Sequence, residues 1–543
     1  MGKKSYKGYL CLVLHAHLPY VRHPEYDYFL EENWLYEAIT ETYIPLIDVF
    51  SRLINDGIDF RITLSLSPTL IEMLNDDLLM KRYKRHIGNL IELSEKEIYR
   101  TRGDIHFGPV ARMYHERFQR IQYIFEDIYR GDLISAFRAL QDQGKIEIIP
   151  SAATHAFLPN LSIYPQAVKA QLKIGTQHYI KIFGRQPEGI WLPECGFAPG
   201  FDEYIGEEAI KYFFLDTHGI IHGKPLPRYG VYAPVVCPSG ISAFGRDIET
   251  SKQVWSSVAG YPGDVHYRDF YRDIGFDLDM DHLKSFLHPF GTRTYTGLKY
   301  YRITGKTDRK EPYVLQRALD KASEHAGNFI MNRESQVEFL YNTLKIRPVI
   351  TAMYDAELFG HWWYEGPEWL YFLLREMYLG HKNFRAITPS EYLELQGSQT
   401  ALQECEPSMS SWGNKGYNEV WLNSLNDYIY RHLHKATERM IYLADSVPNA
   451  HGIQKRALNQ AAREVLLAQH SDWTFIMQNN TATEYVQKRF TEHIGRFNFI
   501  YQLLVKENIP GRWLREIEER DRIFQNIDYR VYCTASSNRN IMQ

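Results

Sequence analysis

Two segments of this 543-residue chain set a carboxylate in dense aromatic company. In Trp191-Leu192-Pro193-Glu194-Cys195-Gly196-Phe197 the acid ends an apolar run between Trp, Pro and Phe. Burial there raises the cost of charging it, and the adjoining Gly lets a ligand approach the backbone. The alternative use of Glu194 is to cap a neighbouring helix. Residues 350–367 read ITAMYDAELFGHWWYEGP, with Asp355 ending an apolar strand pattern ahead of His361, Trp362, Trp363 and Tyr364. Glu357 is the competing acid and is expected to point away or to cap. Two carboxylates from different strand ends, each among rings, suit glycoside hydrolysis. One attacks or stabilises an anomeric carbon, and the other gives a proton to the leaving oxygen. Stacked aromatics hold the apolar faces of sugar rings.

His15-Ala16-His17 follows the first apolar run, and its spacing points both imidazoles the same way. A metal reading needs a third ligand, from Asp216 or His155. Otherwise the histidines donate to substrate hydroxyls or orient the carboxylates. His155, in Ala153-Thr154-His155-Ala156-Phe157-Leu158-Pro159, has the same two readings. Ser410-Ser411-Trp412-Gly413 and Trp421 lie near a change of composition. In Gln469-His470-Ser471-Asp472-Trp473 the Ser–Asp pair beside Trp reads as a helix cap over a buried ring.

The elements that must position these groups alternate along the first two-thirds of the chain. Strand candidates fall at 8–14, 58–66, 146–150, 189–192, 212–215, 240–244 and 348–354, with helical patterns between them. That order predicts a parallel sheet. Polar residues just past successive strand ends (His15, Ser65, His155, Glu194, Asp216, Asp247, Asp355) predict a barrel with its active face at that end. Residues 70–140 read as a helical insertion, and 387–395 as strand-like. Residues 397–420, rich in Gly, Ser, Asn and Gln, mark a boundary, and 421–519 carry only helical periodicity. The expected division is 1–396, 397–530 and a polar tail at 531–543.

Composition excludes several classes. Lys+Arg is 62 and Asp+Glu 66, and a net charge of −4 argues against a polyanion binder and so against nucleic acid. The aromatic share is 14%, from 39 Tyr, 28 Phe and 10 Trp, which supplies core and also flat faces for ring-shaped ligands. No apolar run reaches 18 residues, so no membrane span is expected. Lys3, Lys4 and Lys7 before an apolar stretch imitate a secretory leader, but the stretch is short and runs into His15 without a small-residue cleavage site. Five scattered cysteines give neither a disulfide framework nor a CxxC site, so a reducing, cytoplasmic setting is expected.

The segments HAHLPY, ATHAFLP, WLPECGF, ITAMYDAELFGHWW and QHSDW resemble, in order and over nearly the whole chain, glycoside hydrolase family 57 and its 1,4-α-glucan branching group. The resemblance implies a distorted, TIM-like (β/α)7 barrel of the α/β class with a helical insertion and an all-α carboxy-terminal domain that completes the cleft. It implies retaining transfer between linear α-1,4-glucan chains without a metal or cofactor; a monomer is expected, with a homodimer as the alternative. Carried over by motif, Glu194 is the nucleophile and Asp355 the general acid/base. His15, His17 and His155 line the donor site, Trp191 and Trp362 are further substrate-binding candidates, and Trp412, Trp421, Ser471 and Asp472 bring in the helical domain. Arg268, in YRDFY, looks like the family's substrate-contacting arginine. A small residue is usual where His470 stands, Pro where Thr474 stands, and a substrate-contacting Gln at the Thr481 position. Branching in the family is associated with a mobile loop Tyr, for which Tyr229, Tyr232 and Tyr261 are candidates. The rival readings are an α-amylase or 4-α-glucanotransferase, a metal-dependent polysaccharide deacetylase, and a silent glucan-binding protein.

Overall fold

The structure, a computed structural model, describes residues 6–256, 260–287, 291–380, 382–396 and 403–534. Among these, ten strands form: β1 (Gly8–Ala16), β2 (Ile62–Leu66), β3 (Ile146–Pro150), β4 (Gly189–Ile190), β5 (Tyr212–Leu215), β6 (Val235–Val236), β7 (Ser242–Gly245), β8 (Val349–Asp355), β9 (Phe384–Ala386) and β10 (Gln403–Glu404). All nine residues of β1 are buried, as expected of a parallel strand covered on both faces. One arc runs β3-β2-β1-β8 and another runs β4-β5-β7, all parallel. Parallel bridges Ser151–Trp191 and Arg246–Thr351 join the arcs at both ends. The result is a closed ring of seven parallel strands. β9 lies beside the start of β1, while β6 and β10 extend the β7 side.

Alternation along the strands divides the core in two. Tyr9, Cys11, Val13, Ile149, Trp191, Phe214, Phe244 and Met353 fill the barrel. Leu10, Leu12, Leu14, Ile350, Ala352 and Tyr354 face outward into the helices. Between β2 and β3 run helices Pro68–Leu74, Asp77–Arg100, Phe107–Tyr123 and Leu133–Asp142, where 70–140 reads as helical. Beyond β10 the longer elements are all helical, at Tyr428–Ser446, Gly452–Ala468, Ser471–Asn479, Thr483–Val505 and Gly511–Arg520. Among the described residues no helix is long and apolar enough to cross a membrane.

Two readings are corrected. The segment 387–395, read as strand-like, begins just past β9 and is instead mostly the helix Pro389–Gln396. Thr388 Oγ1 accepts from Glu391 N–H while Thr388 N–H donates to the Glu391 carboxylate, a reciprocal cap that starts a helix ahead of Pro389. The polar tail does not begin at 531, because Tyr532 is fully buried in the turn Tyr529–Tyr532. The proposed boundary at 397 and the tail from 535 lie outside the described residues.

Candidate active site

The two-residue alternation continues past the strand ends. Val13 and Met353 face the barrel interior, so His15 and Asp355, two residues on, enter its mouth from adjacent strands as register partners. Asp216 and Arg246 follow Phe214 and Phe244 in the same way, and Arg246 Nη1 lies 3.5 Å from Asp216 Oδ2.

Glu194 is delivered by a turn. The chain leaves the sheet through Pro193, and Glu194 and Cys195 both adopt left-handed backbone with φ of 62° and 51°. Such residues cost about 1–3 kcal/mol each and persist only where their surroundings hold them. Here the Trp412 indole N–H donates to Glu194 Oε2 at 2.8 Å, and the Ser471 hydroxyl donates to Oε1 at 3.1 Å. Trp412 N–H also donates to the Glu194 carbonyl at 2.9 Å, and Phe197 N–H to Ser410 at 2.9 Å, which clamps the 410–413 strap over the turn. Burial, with Asp472, holds the Glu194 carboxyl above its ordinary value, against the pull of positive His17 and the two donors.

His17 Nε2 faces Asp472 Oδ2 at 3.1 Å. Burial opposes a charge on His17, yet Asp472, aided by Glu194 and Glu357, raises its pKa to about 9. His17 stacks on His155 with centroids 3.7 Å apart, and His15 stacks on Trp191 at 4.6 Å. Burial and the His17 charge hold His15 and His155 well below the usual imidazole range, so both are neutral. Ring nitrogens of His15, His17 and His155 lie within 4.8 Å of one another. They still make a poor zinc set. His15 Nε2 and His155 Nε2 face each other at 2.8 Å, closer than the roughly 3.3 Å between two nitrogens held tetrahedrally about 2.0–2.1 Å from one zinc. The third ring is stacked on the second rather than aimed at a common point. This geometry fits a shared proton, not a shared cation.

Asp355 has the opposite surroundings. Among the described residues no hydrogen bond reaches its carboxylate. Burial first, then Glu357 and Glu194, push its pKa up to about 8 against the pull of His17 and Arg246. At neutral pH it therefore keeps its proton. Glu357, expected to point away, is a member of the site. Its Oε1 accepts from the Tyr43 hydroxyl and from His17 N–H at 3.2 Å. The loop behind it needs Gly360, whose φ is +110° and where a Cβ would meet the Glu41 carbonyl at 1.8 Å.

Several expected contacts fall elsewhere. Arg268 is 4% exposed, ringed by Glu41, Tyr114 and the His361 carbonyl and set over the Tyr364 ring, so it is a buried structural cation rather than a cleft residue. Trp421 is 1% exposed and stacked on Phe157 at 4.3 Å, behind the 410–413 strap. Trp191 is fully buried, stacked on His15 at 4.6 Å and set edge-on to Trp412 at 4.9 Å. Trp362 is an exposed ring stacked on Phe270 at 4.4 Å, and Thr481 is exposed past the end of helix Ser471–Asn479. His470 caps that helix through its ring, in place of the Ser–Asp pair. None of the candidate loop tyrosines touches the acids. Tyr232 O accepts from Val349 N–H at the far end of β8, Tyr229 N–H donates to Gln403, and Tyr261 bonds to Asn328. Arg246 and Tyr43 are site residues that sequence reasoning misses. The strand-end parity of Arg246 is a usable signal, whereas Tyr43 lies on a helix with no such mark.

A parallel barrel bearing a hydrogen-bonded carboxylate and a protonated one at its carboxyl end defines a carbohydrate-active enzyme of the two-acid type. The chain belongs to glycosyl hydrolase family 57, which residues 11–404 match. Residues 432–532 match the region described as 1,4-alpha-glucan branching enzyme, C-terminal. A curated 1,4-alpha-glucan branching enzyme of Thermococcus kodakarensis is 32% identical over 98% of this chain and 79% of its own length. The branching enzyme structure from Pyrococcus horikoshii is 32% identical, with a TM-score of 0.87 and 97% of each chain covered. An α-amylase structure from Thermotoga maritima is 44% identical, with a TM-score of 0.90, covering 97% of this chain and 99% of that one.

Proposed function

We propose that this chain is a 1,4-α-glucan branching enzyme that works by retaining transglycosylation. Glu194 attacks the anomeric carbon of a linear α-1,4-glucan as Asp355 protonates the departing 4-oxygen. Asp355, now ionised, takes the proton of a 6-hydroxyl on an acceptor chain, which displaces Glu194 and forms an α-1,6 branch. The observation that carries this reading is the asymmetry of the pair. Glu194 is held by Trp412 and Ser471, while Asp355 is raised to about 8 without a donor. Water intercepts the same intermediate, so transfer depends on a cleft that excludes it. The 410–413 strap and helix Ser471–Asn479, both reaching Glu194, supply part of that cover. We read the barrel to about 396 as the catalytic unit and the helices to about 530 as its cover.

The second reading is an α-amylase using the same two acids, favoured by the 44% identity to the Thermotoga maritima structure. Proton NMR of amylose after incubation separates them. Branching gives new α-1,6 anomeric signals with few new reducing ends, and an amylase gives reducing ends alone. Full activity in Glu194→Gln would overturn the nucleophile assignment under either reading. A deacetylase is disfavoured by the facing His15 and His155 nitrogens, and acetate release abolished by a chelator would reinstate it.

A further inference from the structure

Behind Glu194 runs a line of side chains that the two-acid mechanism does not use. Ser65 Oγ lies 3.0 Å from His15 Nδ1, His15 Nε2 lies 2.8 Å from His155 Nε2, and His155 Nδ1 lies 2.9 Å from Ser471 Oγ. Ser471 Oγ then lies 3.1 Å from Glu194 Oε1. Each of these four residues is at most 2% exposed. Proton counting fixes the order of the line. An ionised carboxylate only accepts, so the Ser471 hydroxyl proton points to Glu194. Ser471 Oγ must then receive the next proton, which places the single N–H of neutral His155 on Nδ1. His155 Nε2 is left bare, so His15 carries its own N–H on Nε2. His15 Nδ1 is bare in turn, and Ser65 donates to it.

We infer that Ser65, fully buried on the floor of the barrel mouth, is a positioning residue that completes a line whose histidine tautomers Glu194 sets, so that four successive donors point toward the carboxylate. Aligned bonds polarise one another, and the line strengthens the last donor on the carboxylate. The inference deepens the proposed mechanism and rests on Glu194 being the ionised nucleophile. Other charged groups facing that turn are His17 from the end of β1, Asp472 from the helical side, Asp355 from β8, and Arg246 with Asp216 beside Cys195.

The test is the nitrogen-15 spectrum of the full chain labelled in histidine, with His15 and His155 assigned by single substitution. At neutral pH the inference requires His15 protonated on Nε2 and His155 protonated on Nδ1. In Glu194→Gln the side-chain amide can donate, so both tautomers are expected to reverse. His155 protonated on Nε2 in the unaltered chain, or tautomers unmoved in Glu194→Gln, would overturn the inference. Kinetics provide an independent arm. Ser65→Ala is expected to lower kcat about 3–10-fold with KM changed less than twofold, and to move the acid limb of kcat/KM to higher pH, in line with losing one hydrogen bond of about 0.5–1.5 kcal/mol. Ser65→Thr, which keeps the hydroxyl, should restore both. An equal loss in Ser65→Thr, or a Ser65→Ala enzyme with an unmoved acid limb, counts against it. Because the tautomers are read without turnover, they separate failure of this inference from failure of the nucleophile assignment, which Glu194→Gln activity alone decides.

Discussion

The surroundings of Glu194 and Asp355 differ in what they offer a carboxylate. Glu194 has an indole N–H and a hydroxyl directed at its two oxygens, with the His17 charge close by. Asp355 has acids instead, Glu357 on its own loop and Glu194 across the mouth, and its pKa rises to about 8. Both groups are buried, and desolvation pushes both upward. What separates them is the sign of their neighbours: donors favour the ion, and anions favour the acid. Donors at Glu194 and anions around Asp355 thereby push two similar side chains apart in pKa.

The comparison breaks most severely at the acids themselves. Glu194→Gln should lower kcat on the order of 10⁴-fold on every substrate, since under the proposed mechanism Glu194 forms the glycosyl ester. Asp355→Asn should lose about 10²–10⁴-fold on amylose but much less on an aryl maltoside whose leaving group needs no proton. Equal losses on both substrates would remove the distinction. Removing one donor is milder. Trp412→Phe should lower kcat/KM about 10–100-fold, the value of a hydrogen bond to a charged group at about 1.5–3 kcal/mol, and shift the acid limb upward. An acid limb that stays put in pH-rate measurements would mean that Trp412 only packs.

Smaller still is the effect of changing a neighbour's charge. The proposed mechanism requires protonated Asp355, so the alkaline limb of kcat/KM is expected near pH 8, with activity falling above it. Glu357→Gln removes a negative neighbour, lowers the Asp355 pKa, and should move that limb down by about one unit. A limb moved upward in the pH profile contradicts the direction. Trp421→Phe should leave the KM for amylose within about twofold while lowering the melting temperature, because Trp421 is core. A KM raised tenfold would return it to the cleft.

Much of the barrel, and the placing of Glu194 and Asp355 at its mouth, is legible in the order of residues, and the rest escapes for identifiable reasons. Strand parity is a local rule, so the alternation of residue types alone aims His15 and Asp355 into the mouth, and Arg246 obeys the same rule. Burial is not local. Trp191, Trp421 and Arg268 stand in segments as aromatic as the cleft itself, and only packing against His15, Phe157 and Glu41 shows them to lie behind it. Glu357 looks peripheral in sequence because its partner Tyr43 lies 314 residues away. The strand reading at 387–395 fails differently, since the reciprocal Thr388–Glu391 cap that contradicts it is a local, four-residue signal.

The clamp on Glu194 also has a consequence in time. Its hydroxyl donor, Ser471, follows it in the chain by 277 residues. At about 5–20 residues per second of synthesis, the turn that carries Glu194 waits about 14–55 s before that donor has been made. A ribosome-bound chain halted after the barrel would hold both acids and lack the helix that readies one of them. Such a chain can fold its strands without turning over glucan, and activity should emerge only with the last quarter of the polypeptide.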